Sequence, residues 1–392
     1  MTELPEGFTL LPGSGASYAA ALRKARLVQV RGILTGAWPP GFQRALAGAL
    51  KRSPESLLGA LAAPECSGPL RAVQTGLAGS GPAREALAAL LVQLGTLGED
   101  LLFPWPLERL ADLGERRLLV FGEPVSSFRI GPDGLDFKLA DGRHAGLEEL
   151  AAASGAEQPF HRISPEHPCL LSLYDANPLA CQEGHPDKSG NEVDLGGRTV
   201  EDWIESLQDA FSLVRKALPG WWAESPAFLR RIIPVGFSSE MHLSASYREV
   251  LGVAYLSLHP DPLTMAEAVV HEAQHSKLNT LLWLDPLLEN SEEPCNSPIR
   301  PDRRNLLGVL LAAHAFVPVS ALHLKAREQG LLPPGSEETL ARRSEEVLAN
   351  NRHALGTLAR KARPTPLGER ILKGLGELDS AVRAAADEHK PE

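Results

Sequence analysis

The chain is poor in cysteine. It has four in 392 residues, Cys66, Cys169, Cys181 and Cys295, and no two form a C-x-x-C pair. The expectation is buried or free thiols in a reducing, cytoplasmic protein rather than a disulfide framework. An excess of basic residues is also missing. Lys and Arg number 39 against 49 Asp and Glu, giving a net charge of −10 and a pI near 5.7. That balance argues against a general nucleic-acid binder and leaves room only for local basic patches. No uninterrupted apolar run approaches the ~18–20 residues of a membrane span, so none is expected. The opening Met1-Thr2-Glu3-Leu4-Pro5-Glu6 is acidic and lacks the apolar core of a secretory signal. No repeat at a solenoid period is visible.

What is present is ample apolar material, 43% of residues, enough for one large domain or two. Residues 14–113 read as Ala- and Leu-rich helices cut by Gly and Pro. From Arg116 the texture changes to strands, 117–121 and 125–130. Gly131-Pro132-Asp133-Gly134 then turns the chain into 135–139. A further strand covers 169–174. The polar, Gly-rich stretch 181–198 is either a connection or a substrate-contacting flap. Thr199 is placed to cap a helix over 200–217. Strands over 231–235 and 252–258, with Ser244-Ala245-Ser246 between them, precede a helix from about 263. An apolar helix over 306–317 is expected to kink or end at Pro318, and amphipathic helices fill 336–388. The expected fold is α+β and mostly helical, with a small zincin-like sheet feeding one helix. Its regions are a helical 1–115, a mixed α/β catalytic core 116–335 and a helical 336–392.

That helix carries His271-Glu272-Ala273-Gln274-His275, an H-E-x-x-H motif. Residues four apart share a helix face, so His271 and His275 can grip one metal ion. Glu272, one residue on, can reach a metal-bound water or support a ligand. No Gly or Pro interrupts residues 263–285. The competing reading is two surface histidines on an amphipathic helix.

Two histidines leave a metal site incomplete. The extended metzincin pattern needs a glycine at 278 and a histidine at 281; both positions are leucine, Leu278 and Leu281. Asp285, Glu289, Glu292 and Glu293 are carboxylate candidates. His314 stands apart as the only polar side chain between Leu306 and Val319. A buried imidazole must find a partner, either a backbone carbonyl or a metal. Beside a two-histidine half-site, ligation is the favoured use, with His323 the weaker candidate beyond Pro318. Upstream lie Arg300, Arg303 and Arg304. These either form a solvated loop paired with Glu292 and Glu293 or hold an anionic co-substrate through bidentate forks.

The runs 244–249 and 252–257, residues 266–277, and Asp302-Arg303-Arg304-Asn305-Leu306-Leu307-Gly308 with His314-Ala315-Phe316 resemble a known family. It is that of the HEXXH-motif peptide-modification proteins, which accompany ribosomally made peptide natural products. The resemblance is densest over about residues 230–325. It implies an iron(II)- and 2-oxoglutarate-dependent peptide β-hydroxylase acting on a precursor peptide, with His271, His275 and His314 as metal ligands. An arginine of the loop, Arg304 first and Arg300 second, would bind the co-substrate. The family pattern has prolines where this chain has Arg303 and Asn305, which leaves Arg304 as the matching arginine. Without the resemblance, the residues equally admit a zinc peptidase with Glu272 as general base. A non-catalytic module that binds a peptide leader is a third possibility, and the intact motif argues against it.

Overall fold

A computed structural model describes residues 15–36, 40–74, 76, 80–94, 101–131, 134–153, 155–180, 184–185, 188–296 and 303–388. The chain opens with helices α1 (Gly15–Thr35), α2 (Pro40–Arg52), α3 (Pro54–Ala60), α4 (Pro64–Gln74) and α5 (Ser80–Leu94). Pro40, Pro54 and Pro64 each begin a helix. The missing proline N–H costs nothing there, because the first helical N–H groups have no intrahelical partner.

Strands begin earlier than the helical reading of residues 14–113 expects. β1 (Leu101–Phe103) and β2 (Leu107–Asp112) precede β3 (Arg117–Gly131), β4 (Gly134–Leu139), β5 (His144–Gly146), α6 (Leu147–Ala153) and β6 (Gly155–Glu157). Leu101 and Phe103 are buried while Leu102 between them is exposed, the two-residue period of a strand. Prolines 104 and 106 stop any helix there. β2 pairs with β3 antiparallel from Asp112↔Arg117 onward, so the change of texture at 116 falls inside a hairpin. Pro132 and Asp133 of the expected turn lie outside the described residues; its ends, Gly131 and Gly134, are paired. This sheet packs on α5 through Leu87, Leu90 and Leu91, with Phe103 and Phe128 stacked 4.8 Å apart.

The second sheet comprises β7 (Phe160–Ser164), β8 (His167–Ser172), β11 (Arg231–Phe237), β12 (Ser244–Tyr247) and β13 (Val250–Leu258), in the order β12-β13-β11-β8-β7. β8, β11 and β13 run parallel, and β7 and β12 pair antiparallel at the edges. β13 is buried at nearly every position, as expected of a strand covered on both faces. Ala254, Leu256 and Leu258 meet the core shared with the helices, and Val253 and Tyr255 join Ile233 and Ala245 on the other face. Between β8 and β11 lie the short ladder β9 (Gly184–His185) and β10 (Lys188–Ser189), then α7 (Val200–Ala217) and α8 (Pro219–Glu224). The later part of the Gly-rich stretch is pinned to the sheet, where Asp194 exchanges backbone bonds with Pro234 and Gly236. Thr199 and Asp202 form the capping box that starts α7.

β13 delivers the chain into α9 (Pro262–Leu282), which carries the H-E-x-x-H motif. β14 (Pro294–Asn296) and β15 (Arg303–Asn305) pair ahead of α10 (Leu306–Glu328), followed by α11 (Glu337–Lys361) and α12 (Pro366–Glu388). The chain is thus α+β, with its helices at both ends of the sequence and around the second sheet. Pro318 does not end α10, which continues for ten residues beyond it. By length and hydropathy alone α10 is apolar enough to cross a membrane; 72% of its most apolar 18-residue window is buried inside the fold. It packs against α9, α11 and α12. Cys66, Cys169 and Cys295 are free and buried, and Cys181 lies outside the described residues.

The C-terminal helices are fastened where Gly368, in the first turn of α12, lies against the backbone of Leu287. A Cβ at 368 would collide with the Leu287 carbonyl oxygen. Gly368→Ala should therefore destabilise the protein by about 1–3 kcal/mol, the usual cost of forcing extra volume into a packed contact. Urea unfolding monitored by circular dichroism measures it, and an unchanged midpoint would show that the contact yields freely.

Candidate metal centre

Asp261 caps α9 by accepting from the backbone N–H groups of Leu263 and Thr264 at 3.3 and 3.0 Å. Pro262 occupies the first helical turn. From Met265 to Leu282 every residue is buried except His271 and His275. The helix is enclosed by β13, α7 and α10 and opens only at those two side chains. Helical spacing puts both on one face, and the packing leaves that face accessible.

The two imidazoles meet edge to face, ring centres 4.5 Å apart at 86°. Glu272 is buried, with Oε1 3.9 Å from Nε2 of His271. One ligand atom each from His271, Glu272 and His275 lie within 4.8 Å of one another, a group able to hold a metal ion. Phe316, from α10, lies 4.6 Å from the His271 ring and walls one side.

The electrostatics keep these rings neutral. Burial pushes His271 well below the usual histidine range, with His275, His242 and Arg343 adding to the effect. Burial, then Arg304, lowers His275 to about 4. Burial, then Lys277 and His275, lowers His314 to about 3. A neutral imidazole retains the lone pair that a metal needs. Nδ1 of His275 and Nδ1 of His314 are both buried without a hydrogen-bond partner among the described residues. A buried ring nitrogen left unpaired is costly, and the donor set of His271, Glu272 and His275 fits a metal.

His314 approaches through a backbone device. An α-helical N–H at position i bonds the carbonyl at i−4, and proline has no N–H. Pro318 therefore leaves the His314 carbonyl without its helical partner. Gln274 Nε2 donates to that carbonyl at 3.1 Å. Gln274 Oε1 in turn accepts from Trp221 Nε1 at 3.1 Å. The glutamine inside the motif thus ties α8, α9 and α10 together. His314 lies outside the converging group of His271, Glu272 and His275, and is coupled to it electrostatically through His275.

The remaining sequence candidates fall into place. Arg304 is an electrostatic neighbour of His275, and its stem crosses the first turn of α10 at Gly308, where an added Cβ would stand 3.5 Å from Arg304 Cδ. Arg300 lies outside the described residues. Arg248 donates to the Leu282 carbonyl at the far end of α9. Asp285 accepts from Thr365 and the Leu287 N–H. Glu293 and Glu292 accept from Asn290 and Asn305, and Glu289 is exposed. None of these carboxylates joins the converging group. His323 bonds Glu267 at 2.7 Å, and Arg343 bonds the same carboxylate at 2.9 Å. Lys277 is buried against Glu224 at 2.8 Å, and burial lowers its pKa well below the lysine range.

Sequence reading missed His242, in the loop before β12, which acts on His271 electrostatically. No periodicity marks a loop histidine. It also missed Gln274, although a proline four residues after His314 signals a carbonyl in need of a donor.

No protein-family model matches this chain, and no curated protein matches it. The site's own geometry carries the functional argument.

Two outcomes follow from this geometry. Histidines whose folded pKa is depressed contribute stability that is present above about 6.5, the unfolded value, and is lost as pH falls toward the folded value. For His275 and His314 that window runs from about 6.5 down to about 4 and about 3. Metal-free protein should lose stability across it, and His314→Leu should lower the number of protons taken up on unfolding at pH ~5.5 by about one. An unchanged slope in denaturation titrations would count against a buried neutral His314. Gln274→Leu, which removes the tether but keeps the bulk, should weaken metal binding by about 10-fold or more, as loss of a ligand's supporting bond does. A competition titration with a chromophoric chelator measures this, and unaltered affinity would make the tether irrelevant to the centre.

Proposed function

We propose that this protein is an iron(II)- and 2-oxoglutarate-dependent oxygenase that hydroxylates a side-chain β-carbon of a ribosomally made precursor peptide in the cytoplasm. The observation that carries this reading is the surroundings of His275. A guanidinium, Arg304, acts on it electrostatically, and His275 acts in turn on a third imidazole, His314. An arginine beside a metal ligand suits an anion that accompanies the metal. A dicarboxylate co-substrate is such an anion, and an arginine fork suits its distal carboxylate.

In this reading His271 and His275 hold the metal as neutral donors, His314 moves in from outside the converging group to complete the set, and Arg304 orients the oxoacid. Phe316 closes the side next to His271 to water. When bound, ferrous iron with 2-oxoglutarate and O2 supplies oxidation of a C–H bond to an alcohol, coupled to breakdown of the oxoacid to succinate and CO2. Glu272 needs to activate no water. Its buried carboxylate beside His271 orients the ligands or the substrate.

A second reading, a zinc peptidase, is favoured by that same carboxylate, because a general base one residue from a ligand is what hydrolysis requires. The two readings separate cleanly. Anaerobic addition of Fe(II) and 2-oxoglutarate should produce a visible charge-transfer band that His275→Ala abolishes. Arg304→Lys keeps the charge but loses the fork, and should raise the 2-oxoglutarate requirement about tenfold or more at unchanged metal content. Glu272→Gln should retain hydroxylation. Steady cleavage of peptides by the zinc-loaded protein without oxoacid or O2, abolished by Glu272→Gln, would sink the oxygenase reading.

A further inference from the structure

A cavity of about 120 Å³ opens between α4, α5, β2 and the segment after β8. Its chemistry comes from Glu65, Glu85, Arg109, Tyr174, Asp175 and Asn177. It lies across the second sheet from the metal centre. Tyr255, which bonds Asp175, projects from the β13 face opposite the one that Ala254, Leu256 and Leu258 turn toward α9.

The carboxylates of this wall are not equivalent. Glu65 is held by Arg231 at 2.6 Å and Glu85 by Arg109 at 2.7 Å. Asp175 receives only neutral donors, the Tyr255 hydroxyl at 2.9 and 3.1 Å and the Asn177 backbone N–H at 2.9 Å. Among the described residues no cation pairs with it. Burial holds its carboxyl at about 6, well above the usual carboxylate range. A largely buried carboxylate without a cation is a costly arrangement.

Beside it stands a second unsatisfied group. Tyr174 is only 8% exposed. Its ring is fixed edge-on by Phe160 at 6.1 Å and lies beneath the Arg109 guanidinium at 5.4 Å. Its hydroxyl has no hydrogen-bond partner among the described residues. Tyr174 lines the cavity together with Arg109, Glu85, Glu65 and Asp175, the charged groups that act on that hydroxyl. Buried tyrosine hydroxyls ordinarily find a partner.

We propose that this cavity is a second binding site, separate from the metal centre, for a primary alkylammonium group held between the Asp175 carboxylate and the Tyr174 hydroxyl. The fit is chemical. An ammonium carries three donors and no acceptor, and both groups offer acceptor lone pairs. Its charge supplies the cation that Asp175 lacks, while Glu65 and Glu85 keep their arginines. The volume takes an alkyl chain of a few carbons. The ammonium can belong to a free amine or to a lysine side chain of a bound peptide.

Calorimetric titration of the full-length protein at pH 7.5 tests this, with n-butylammonium in one arm and an acetyl-lysine-methylamide in the other. Saturable binding of at least one is expected, and the tighter arm identifies the source. Asp175→Asn should abolish binding. Tyr174→Phe, which keeps the ring and its packing, should weaken binding about tenfold, equivalent to one hydrogen bond to a charged group. Metal content should be unchanged in both variants, which shows that they fold. The proposal is overturned if neither ligand binds the wild-type protein, if acetate binds as well as the amines, or if Tyr174→Phe binds with wild-type affinity.

Discussion

The candidate centre depends on one hydrogen bond, from Gln274 to the carbonyl of His314. It exists because Pro318 removes the N–H that would have used that carbonyl, and because Gln274 lies between the two histidines of the motif. A helix in an apolar core can slide or rotate against its neighbour at little cost in buried area. A buried amide bonded on both sides, to Trp221 and to the His314 backbone, removes that freedom, since breaking it leaves polar groups unpaired. The positions of His314 and Phe316 relative to His271 and His275 are therefore set by main-chain geometry.

A second buried network fastens α9 to α10 and α11 about two turns before Gln274. Glu267, four residues before His271, accepts from His323 of α10 and Arg343 of α11, and Ser344 bonds the other side of the His323 ring. Burial alone would raise the Glu267 carboxyl; its bonds to His323 and Arg343 hold it below the usual range instead. Removing one member of such a network leaves an uncompensated buried charge, a loss of about 3–5 kcal/mol in comparable cases. His323, a weaker ligand candidate in the sequence, has this role in the fold. The two fasteners lie on either side of His271.

The second sheet separates two kinds of chemistry. Toward α9 it presents Ala254, Leu256 and Leu258, apolar side chains that join the core around that helix. On the far side Tyr255 meets Asp175 and Asn177, where polar groups face a cavity. A strand's alternating side chains make this possible: neighbouring residues of β13 serve opposite faces.

Much of this was legible in the chain. The H-E-x-x-H spacing, the run without Gly or Pro over 263–285, the Thr199 cap and the β-rich approach to the motif determined α9, α7 and the feeding strand, because each rests on periodicity or capping within a few residues. Local pattern failed where packing overrode it. Leu101–Phe103 became a strand because alternate residues found a core, and α10 continued through Pro318 because neighbouring helices bury it on both sides of the break. What only the tertiary structure decided is which distant groups meet. Arg304 acts electrostatically on His275 and His242 on His271 from outside α9, and Gln274 bonds His314 from forty residues away. Sequence spacing encodes neighbours along one element. Contacts between elements arise from the packing of whole faces, which no single stretch contains.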